Sequence, residues 1–350
     1  MTISIGFALT LTQSVRIVRR LTMRKGVVVL LVLFALVGGL AFAGGAKEAA
    51  PAGKDLIVVG YAQVGAESDW RTANTESFKS TFTEANGYKL IFDDAQQKQE
   101  NQIKAIRNFI QQDVDYIVVA PVVETGWETV LQEAKNAGIP VILSDRQMKL
   151  SDESLYLAWV GGNFLKEGRD SVIWLDTYLK SIGRDQEDMN IVLLQGTIGS
   201  SAQVGRTQGI TEGLAKNPRY KLLARQTGEF TQAKGQEVME SFLKAYPDID
   251  IVFAENDNMA FGAIDAIKAV GKVPGKDIII ISFDAVREAF NKMIAGELNA
   301  AIECNPLHGP RVAEIIQTLE KGGTVDKIQY VVEEVFDQSN AAAKLPQRMY

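Results

Sequence analysis

The sequence is poor in the two side chains that many enzymes and metal sites use, since its 350 residues include one Cys, Cys304, and one His, His308. A single Cys excludes an internal disulfide and a zinc site built from several cysteines, and a single His excludes a histidine-rich metal cluster. Either residue retains the chemistry of a lone nucleophile or base. We interpret both as structural, and we predict no catalytic residue, no metal and no cofactor.

Nucleotide-binding motifs are also absent from the sequence. No Gly-x-Gly-x-x-Gly follows the first predicted strand, and no loop ends in Gly-Lys-Ser or Gly-Lys-Thr. Such motifs bring backbone N–H groups close to phosphates. The sequence therefore gives no support to a dinucleotide or ATP site.

An excess of positive charge is missing as well. The chain has 37 Lys+Arg against 43 Asp+Glu, and five of the basic residues lie in the acid-free segment 1–43. The rest of the chain has 32 basic and 43 acidic residues, a net charge of −11. Nucleic-acid binders gain affinity by neutralising phosphates and show the opposite balance. We therefore predict no nucleic-acid partner.

A long apolar run, GVVVLLVLFALVGGLAFA, occupies residues 26–43 and follows Met23-Arg24-Lys25. A basic flank, an apolar core and a small-x-small end are typical of a secretory signal peptide. An uncleaved membrane anchor is the alternative, because 18 apolar residues come close to spanning a bilayer core of about 30 Å. We favour cleavage after Ala43, which predicts a periplasmic protein. Met23 offers a second start, so residues 1–22 need not be translated.

Short β-branched runs alternate with helical stretches after Lys54. Most runs are nearly continuous in Val, Ile and Leu, as in strands covered on both faces. The segments Gln102–Gln112 and Glu124–Ala137 have amphipathic helical spacing. Such alternation builds parallel sheets flanked by helices, and eleven strands are too many for one open sheet, so we predict two α/β lobes. The predicted strands are Leu56–Ala62, Lys89–Phe92, Tyr116–Ala120, Ile139–Leu143, Leu155–Val160, Asn190–Leu194, Lys221–Arg225, Ile251–Ala254, Ile278–Ser282, Ala300–Ile302 and Gln329–Val332.

Polar and aromatic side chains follow the carboxyl ends of several runs, where ligands bind in parallel α/β sheets. Asp, Asn and Arg can bridge neighbouring hydroxyls with charge-assisted hydrogen bonds, and Trp70 can cover the apolar face of a sugar ring and offer an N–H at its edge. The set predicts a site for a neutral polyhydroxylated ligand. Its members are Glu67, Ser68, Asp69, Trp70, Arg71, Asp145, Arg146, Arg206, Asn256 and Asp284.

Two alternatives stay open for these residues. Asp or Ser after a strand commonly caps the next helix, which suits Asp257 and Ser200. Charges such as Asp145 and Arg206 are costly to bury without a function, although a structural ion pair is the alternative. Asp145 and Glu67 also offer an acid and a base for glycoside chemistry. Nothing in the sequence fixes their separation.

Five segments resemble the periplasmic sugar-binding proteins of ABC importers, of the ribose- and galactose-binding type, and within that group the galactofuranose binders. The resemblance extends from Lys54 to the C-terminus. The segments are VGYAQVGAESDWRTAN (59–74), DDAQQKQENQIKAIRNFIQQDVDYIVVAPVVETGWETVLQEAKNAGIPVILSDR (93–146), LQGTIGSSAQVGRTQGI (194–210), GEFTQAKGQEVMESF (228–242) and AENDNMAFGAIDAIKAVGKVPGKDI (254–278).

The resemblance implies an α/β fold of the type I periplasmic binding protein class, with two doubly wound parallel-sheet lobes joined by a three-crossing hinge. The implied N-terminal lobe is 54–161 plus 305–333, and the C-terminal lobe is 162–304 plus 334–350. The crossings are expected near Gly161–Asn163, Glu303–Asn305 and Glu333–Val335. The family's ligand contacts fall on nine of the ten residues named above, all but Asp69, with Phe230 as a candidate second aromatic wall. Asp69 departs from the Gly of similar proteins and is expected to alter which sugar is accepted.

The function implied by the resemblance is that of a monomeric receptor, not an enzyme. It would capture a monosaccharide, galactofuranose, between the lobes and deliver it to a membrane ABC permease. The alternative is a glycoside- or sugar-processing enzyme that uses Asp145 and Glu67. A sugar-responsive repressor would need a helix-turn-helix at its N-terminus, where this sequence has the export segment.

Overall fold

The computed structural model of the protein describes residues 56–350. The predicted export segment and its cleavage site lie outside the described residues. No helix between residues 56 and 350 combines the length and the apolar character that crossing a bilayer requires.

The strands of the described chain form two six-stranded sheets. In chain order they are β1 (Ile57–Gln63), β2 (Tyr88–Asp94), β3 (Tyr116–Val119), β4 (Val141–Ser144), β5 (Ala158–Gly161), β6 (Met189–Gln195), β7 (Tyr220–Thr227), β8 (Ile251–Ala254), β9 (Ile279–Asp284), β10 (Ala300–Glu303), β11 (Ile328–Tyr330) and β12 (Val335–Asp337). The first sheet has the order β11-β5-β4-β3-β1-β2, and the second has β12-β10-β9-β8-β6-β7. All neighbours are parallel except β10 and β12.

The described residues form ten α-helices, seven of which connect parallel strands of one sheet. They are α1 (Asp69–Thr81), α2 (Gln99–Gln111), α3 (Glu128–Asn136), α4 (Phe164–Ser181), α5 (Ser201–Leu214), α6 (Gln232–Ala245), α7 (Asp257–Ala269), α8 (Arg287–Ile294), α9 (Gly309–Glu320) and α10 (Ala341–Lys344). Parallel strands need such crossover connections, and right-handed crossovers cover both faces of a sheet. The predicted fold class, two α/β lobes, is confirmed.

Apolar packing covers both faces of each sheet. In the first sheet Val118 belongs to the cluster on one face, while its neighbour Ile117 belongs to the cluster on the other. In the second sheet Val192 and Leu193 are divided in the same way. Because successive strand side chains point to opposite faces, only a strand buried on both sides has a continuous apolar sequence. This explains why the pattern of the sequence predicted the strands well.

Two strand predictions need correction. The strand predicted at 155–160 begins at Ala158, because Glu153–Leu155 forms a 3₁₀ helix capped by the Asp152 side chain. A twelfth strand, β12, was not predicted, since its three residues are too few to show a periodic pattern. It pairs antiparallel with β10 at the edge of the second sheet.

The chain passes between the sheets three times. It leaves the first sheet after β5, returns after β10 to form α9 and β11, and leaves again for β12. Parallel strands in each sheet end on the side where the lobes face each other. The loops after these strands therefore meet in the cleft between the lobes.

Candidate functional site

A small cavity lies between the two lobes. Nine of the ten predicted ligand contacts line it, together with Phe230, while Asp69 does not. Phe164, Ala202 and Cys304 complete the wall and were not predicted. The lining residues are Glu67, Ser68, Trp70, Arg71, Asp145, Arg146, Phe164, Ala202, Arg206, Phe230, Asn256, Asp284 and Cys304.

The loop after β1 directs Trp70 and Arg71 into the cleft. Ser68 is the N-cap of α1, and its hydroxyl accepts the Arg71 N–H at 3.1 Å, which fixes the start of the helix. Trp70 is 3% exposed, and its indole N–H donates to the Cys304 carbonyl at 2.6 Å. This N–H is therefore engaged within the protein. Trp70 lines the cavity, and the guanidinium carbon of Arg71 lies 4.6 Å from its ring centroid.

Arg71 ties the first-lobe carboxylates together. Its Nη2 donates to Asp145 at 2.6 Å and its Nε donates to Glu67 at 3.0 Å. Burial acts to lower the pKa of Arg71, but Asp145 and Glu67 outweigh it and raise the pKa above its ordinary value. Both carboxylates are thus acceptors on one guanidinium. Glycosidases instead hold two carboxyl groups on opposite sides of the scissile bond.

Arg146 and Glu67 each present a buried polar atom that lacks a hydrogen-bond partner, and the Arg146 Nε lies 3.9 Å from Asp145 Oδ2. Arg146 is 2% exposed and donates from Nη1 to the Val122 carbonyl at 3.1 Å, whereas its Nε has no hydrogen-bond partner. Glu67 Oε2 is likewise buried without a partner. Burial, followed by repulsion from Arg71, lowers the pKa of Arg146 to about 10. Buried polar groups are nearly always paired in folded proteins, so these two atoms point to a bound polar ligand.

The second lobe contributes Arg206 from α5. Its Nε donates to Glu167 at 2.7 Å, its Nη1 to the Glu255 carbonyl at 2.5 Å and its Nη2 to Asp284 at 3.2 Å. Burial acts to lower the pKa of Arg206, and the Glu167 and Asp284 carboxylates raise it well above its ordinary value. A single Arg thus holds one carboxylate on α4 and another at the end of β9.

Phe230 forms an aromatic wall of the second lobe. Its ring lies against Gly196, where a Cβ would come within 1.9 Å of the ring. The guanidinium carbon of Arg146 lies 5.2 Å from the ring centroid. Gly196 is therefore required for this close approach, and Phe230 meets the first lobe across the cavity.

Asn256 lines the cavity and also caps α7. Its Oδ1 accepts the Met259 N–H at 3.0 Å, and its Nδ2 donates to the Phe230 carbonyl at 2.9 Å. The proposed cap Asp257 is instead a buried acceptor for the Ser282 hydroxyl and the Val286 N–H. Ser200 does cap α5, as predicted.

Asp69 is the one predicted ligand contact that does not line the cavity. It is exposed on the rim of the cleft, and its N–H donates to Asn258 Oδ1 at 3.0 Å. In return, Asn258 Nδ2 donates to Asp69 Oδ2 at 3.2 Å. The side chain is thus engaged by the opposite lobe, which explains why it does not line the cavity.

A group of acidic residues lies behind the cavity at the crossings. Ligand-type atoms of Glu167, Cys304 and Glu333 lie within 4.8 Å of one another, and Glu167 Oε1 is buried without a partner. Burial and the neighbouring Glu167 carboxylate raise the pKa of Glu333 to about 9. The sequence did not predict this group, because its members are 137 and 29 residues apart along the chain and none stands in a local motif.

The sequence profile of the periplasmic binding protein domain family matches residues 59–332. The chain belongs to this family. The galactofuranose-binding protein YtfQ of Escherichia coli is 44% identical over 272 residues, which cover 77% of this chain and 84% of that protein.

Two solved structures with bound furanose sugars have the same fold and slightly higher sequence identity. A protein from Mycobacterium smegmatis in complex with β-D-fucofuranose is 48% identical, covers 84% of this chain and 95% of its own, and has a TM-score of 0.81. The binding protein of the arabinose ABC transporter from Shewanella sp. ANA-3 was solved with bound α- and β-L-arabinofuranose. It is 45% identical, the match covers 83% of this chain and 95% of that chain, and the TM-score is 0.79.

Family membership decides between the two functions that the sequence left open. The interpretation as a sugar-binding transport receptor is confirmed, and the enzyme that would use Asp145 and Glu67 is set aside. The geometry agrees, since both carboxylates are held by Arg71. The roles of the individual site residues stay predictions.

Proposed function

We propose that the protein is a periplasmic receptor that captures galactofuranose between its lobes and delivers it to a membrane ABC permease. The observation that carries this proposal is the pair of unpartnered atoms at the cavity, Arg146 Nε and Glu67 Oε2. One is a donor and the other is an acceptor. A hydroxyl group can serve both, because it donates one hydrogen bond and accepts others.

The charge of the site suits an uncharged ligand. In the first lobe, Arg71 and Arg146 balance Glu67 and Asp145. A charged ligand would upset this balance in a buried place, where unpaired charge is costly. The flat faces of Trp70 and Phe230 suit the C–H faces of a sugar ring.

The enclosure of the cavity favours a single monosaccharide over a longer saccharide, because nearly all of its lining residues are buried. The furanose form is supported by relatives above 40% identity whose names or bound ligands are furanoses. Galactofuranose itself is supported by the E. coli relative.

We further propose the two lobes as 54–161 plus 305–333 and 162–304 plus 334–350, with a hinge at the three crossings. The sugar stabilises closure only if it binds the closed form more tightly than the open form. The permease then recognises the closed surface. The mature protein begins after Ala43 and acts as a monomer.

Thermal unfolding with a panel of monosaccharides tests this function. We expect D-galactose, D-fucose and L-arabinose, which can all form furanose rings, to raise the Tm. A ligand at a hundred times its dissociation constant adds about 2.7 kcal/mol to the free energy of unfolding. Methyl β-D-galactopyranoside is the matched control, because the glycoside is locked as a pyranose.

Two results would contradict the proposal. If the locked pyranoside raises the Tm as much as D-galactose does, the furanose assignment is wrong. If no sugar of the panel raises the Tm, the protein is not a monosaccharide receptor of the proposed kind.

A further inference from the structure

The rim of the cleft carries a reciprocal hydrogen-bonded pair between the lobes. The Asp69 N–H donates to Asn258 Oδ1 at 3.0 Å, and Asn258 Nδ2 donates to Asp69 Oδ2 at 3.2 Å. These residues are 189 positions apart in the chain, and neither lines the cavity. Both bonds must break when the lobes separate.

Each partner lies at the start of a helix, next to cavity residues. Asp69 is the first residue of α1, which also holds Trp70 and Arg71. Asn258 is the second residue of α7, two positions after the cap Asn256, which lines the cavity. The first N–H groups of a helix have no partner within the helix. In the closed form, Asn258 of the second lobe accepts one of them, the N–H of Asp69 in the first lobe.

Two other bonds between the lobes depend on backbone groups of the first lobe. The Glu124 N–H donates to the Gly199 carbonyl at 2.9 Å, and the Gln147 N–H donates to the Ser201 hydroxyl at 2.8 Å. The Asp69–Asn258 pair differs because side chains from both lobes take part. Substitution of Asn258 therefore removes both bonds of the pair, whereas substitution of Asp69 removes only the bond to its carboxylate.

We propose that Asp69 and Asn258 form a clasp that holds the lobes closed and sets the residence time of the sugar without touching it. This inference rests on the proposed function, since it concerns the same closed form. They are positioning residues for binding. Because a sugar must wait for opening before it leaves, loss of the clasp acts on the dissociation rate rather than on the association rate.

The expected effect is modest. Asp69 is exposed, so water replaces its lost partner when the lobes open. The net free energy that an exposed hydrogen bond contributes is small compared with that of a buried hydrogen bond to a charged group. We expect Asp69→Ala to raise the dissociation rate of the sugar about 3- to 10-fold and to leave the association rate unchanged.

Stopped-flow kinetics with D-galactose test the clasp in Asp69→Ala, Asn258→Ala and the double variant. Since Asn258→Ala already removes both bonds, we expect the double variant to dissociate no faster than Asn258→Ala. Asp69→Asn should restore the wild-type rate, because an amide oxygen can accept from Asn258. Glu288→Ala is the control, as it removes an exposed first-turn carboxylate of α8 with partners only in its own helix.

A second readout needs no sugar. Spin labels at Gln112→Cys and Lys216→Cys, exposed positions in the two lobes, report the distance between the lobes, while Cys304 is buried and does not react. We expect a smaller closed fraction with Asp69→Ala than with Glu288→Ala.

The outcomes separate the clasp from the function. Additive effects of Asp69→Ala and Asn258→Ala, or wild-type dissociation rates in both, would overturn the clasp while the receptor function stands. If the wild-type protein does not bind D-galactose, the proposed function fails, and the spin-label distances alone then decide on the clasp. Identical distances in all variants would overturn it.

Discussion

Three cavity residues adopt left-handed backbone conformations that residues other than Gly rarely adopt. The φ angles are 64° at Asp145, 62° at Phe230 and 100° at Asp284. Such residues cost about 1–3 kcal/mol each and persist only where the surroundings hold them. At Asp145 the N–H donates to the Val160 carbonyl at 2.8 Å, and the carbonyl accepts from the Trp159 indole at 2.9 Å. The backbone strain at these residues therefore lowers the free energy of unfolding in the loops that form the site.

The identity of single cavity residues was well predicted from the sequence, whereas their bonding was not. Polar residues after a buried strand lie at the sheet edge whatever the details of the loop, so Asp145, Arg146 and Arg206 could be assigned. The partner of the Trp70 indole is Cys304, 234 residues away. Asp69 is hydrogen-bonded to Asn258, which is 189 residues away in the sequence. Contacts of this range depend on how the lobes meet, and no local pattern records them.

Glu333 makes the stability of the protein depend on pH. Its carboxylate lies beside Glu167 and 3.4 Å from the Asn305 N–H, and burial raises its pKa to about 9. A carboxyl group with a raised pKa contributes stability that is complete below its unfolded pKa, about 4.3, and is lost as the pH rises through 9. The folded state holds the proton over that window, while the unfolded state releases it.

We therefore expect the free energy of unfolding to fall between pH 5 and pH 9 by more than about 1 kcal/mol, since one pKa unit corresponds to about 1.4 kcal/mol. Glu333→Gln should flatten this decline, because the amide carries no titrating proton. Urea denaturation at both pH values gives the measurement. Glu334→Gln is the control, since Glu334 is the exposed neighbour. Equal declines in the wild-type protein and Glu333→Gln would contradict this assignment.

At the level of elements, the packing of α4 on α5 positions Arg206. A Cβ at Gly168 would lie 2.5 Å from the Arg206 carbonyl, and a Cβ at Gly209 would lie 2.4 Å from the Leu165 carbonyl. Gly205 lies against Phe164 and the Leu165 backbone of α4, and Gly213 lies against the Val172 side chain. The helices therefore approach with backbone against backbone. Small residues are what such close approach requires.

Gly209→Ala should move α5 away from α4. Overpacking of this kind costs about 1–3 kcal/mol, and the shift should also weaken sugar binding because Arg206 lies one turn earlier on the same helix. Urea denaturation and calorimetry measure the two effects. Gln208→Ala, on the exposed face of α5, should change stability by less than about 0.5 kcal/mol. A Gly209→Ala protein as stable as the wild type would show that α5 does not depend on this contact.

Element prediction succeeded where burial imposes a pattern. The continuous apolar runs of β3, β8 and β9 identify strands covered on both faces. The edge strand β12 has three residues and a polar end, so it has no such pattern. Its pairing with β10 comes from the third crossing, which depends on the whole fold.

At the level of the whole molecule, neither lobe contains a complete site. The first lobe supplies Trp70, Arg71, Asp145 and Arg146, and the second supplies Arg206 and Phe230. The number of strands in the sequence was enough to predict two lobes. The relative placement of the lobes was not, because it depends on contacts such as Arg146 over Phe230. Binding and closure are therefore one process in this protein.

Calorimetric titration with D-galactose tests the central claim most directly, using the wild-type protein and Arg146→Gln. We expect a single-site binding curve for the wild type, with an apparent affinity reduced by the small furanose fraction of the free sugar. Hydrogen bonds to charged groups contribute about 1.5–3 kcal/mol, so Arg146→Gln should weaken binding at least tenfold. Arg107→Gln, in an exposed ion pair, should bind as the wild type does. Equal affinities of the wild type and Arg146→Gln, with both proteins folded, would contradict the claim that the unpartnered Arg146 donor binds the sugar.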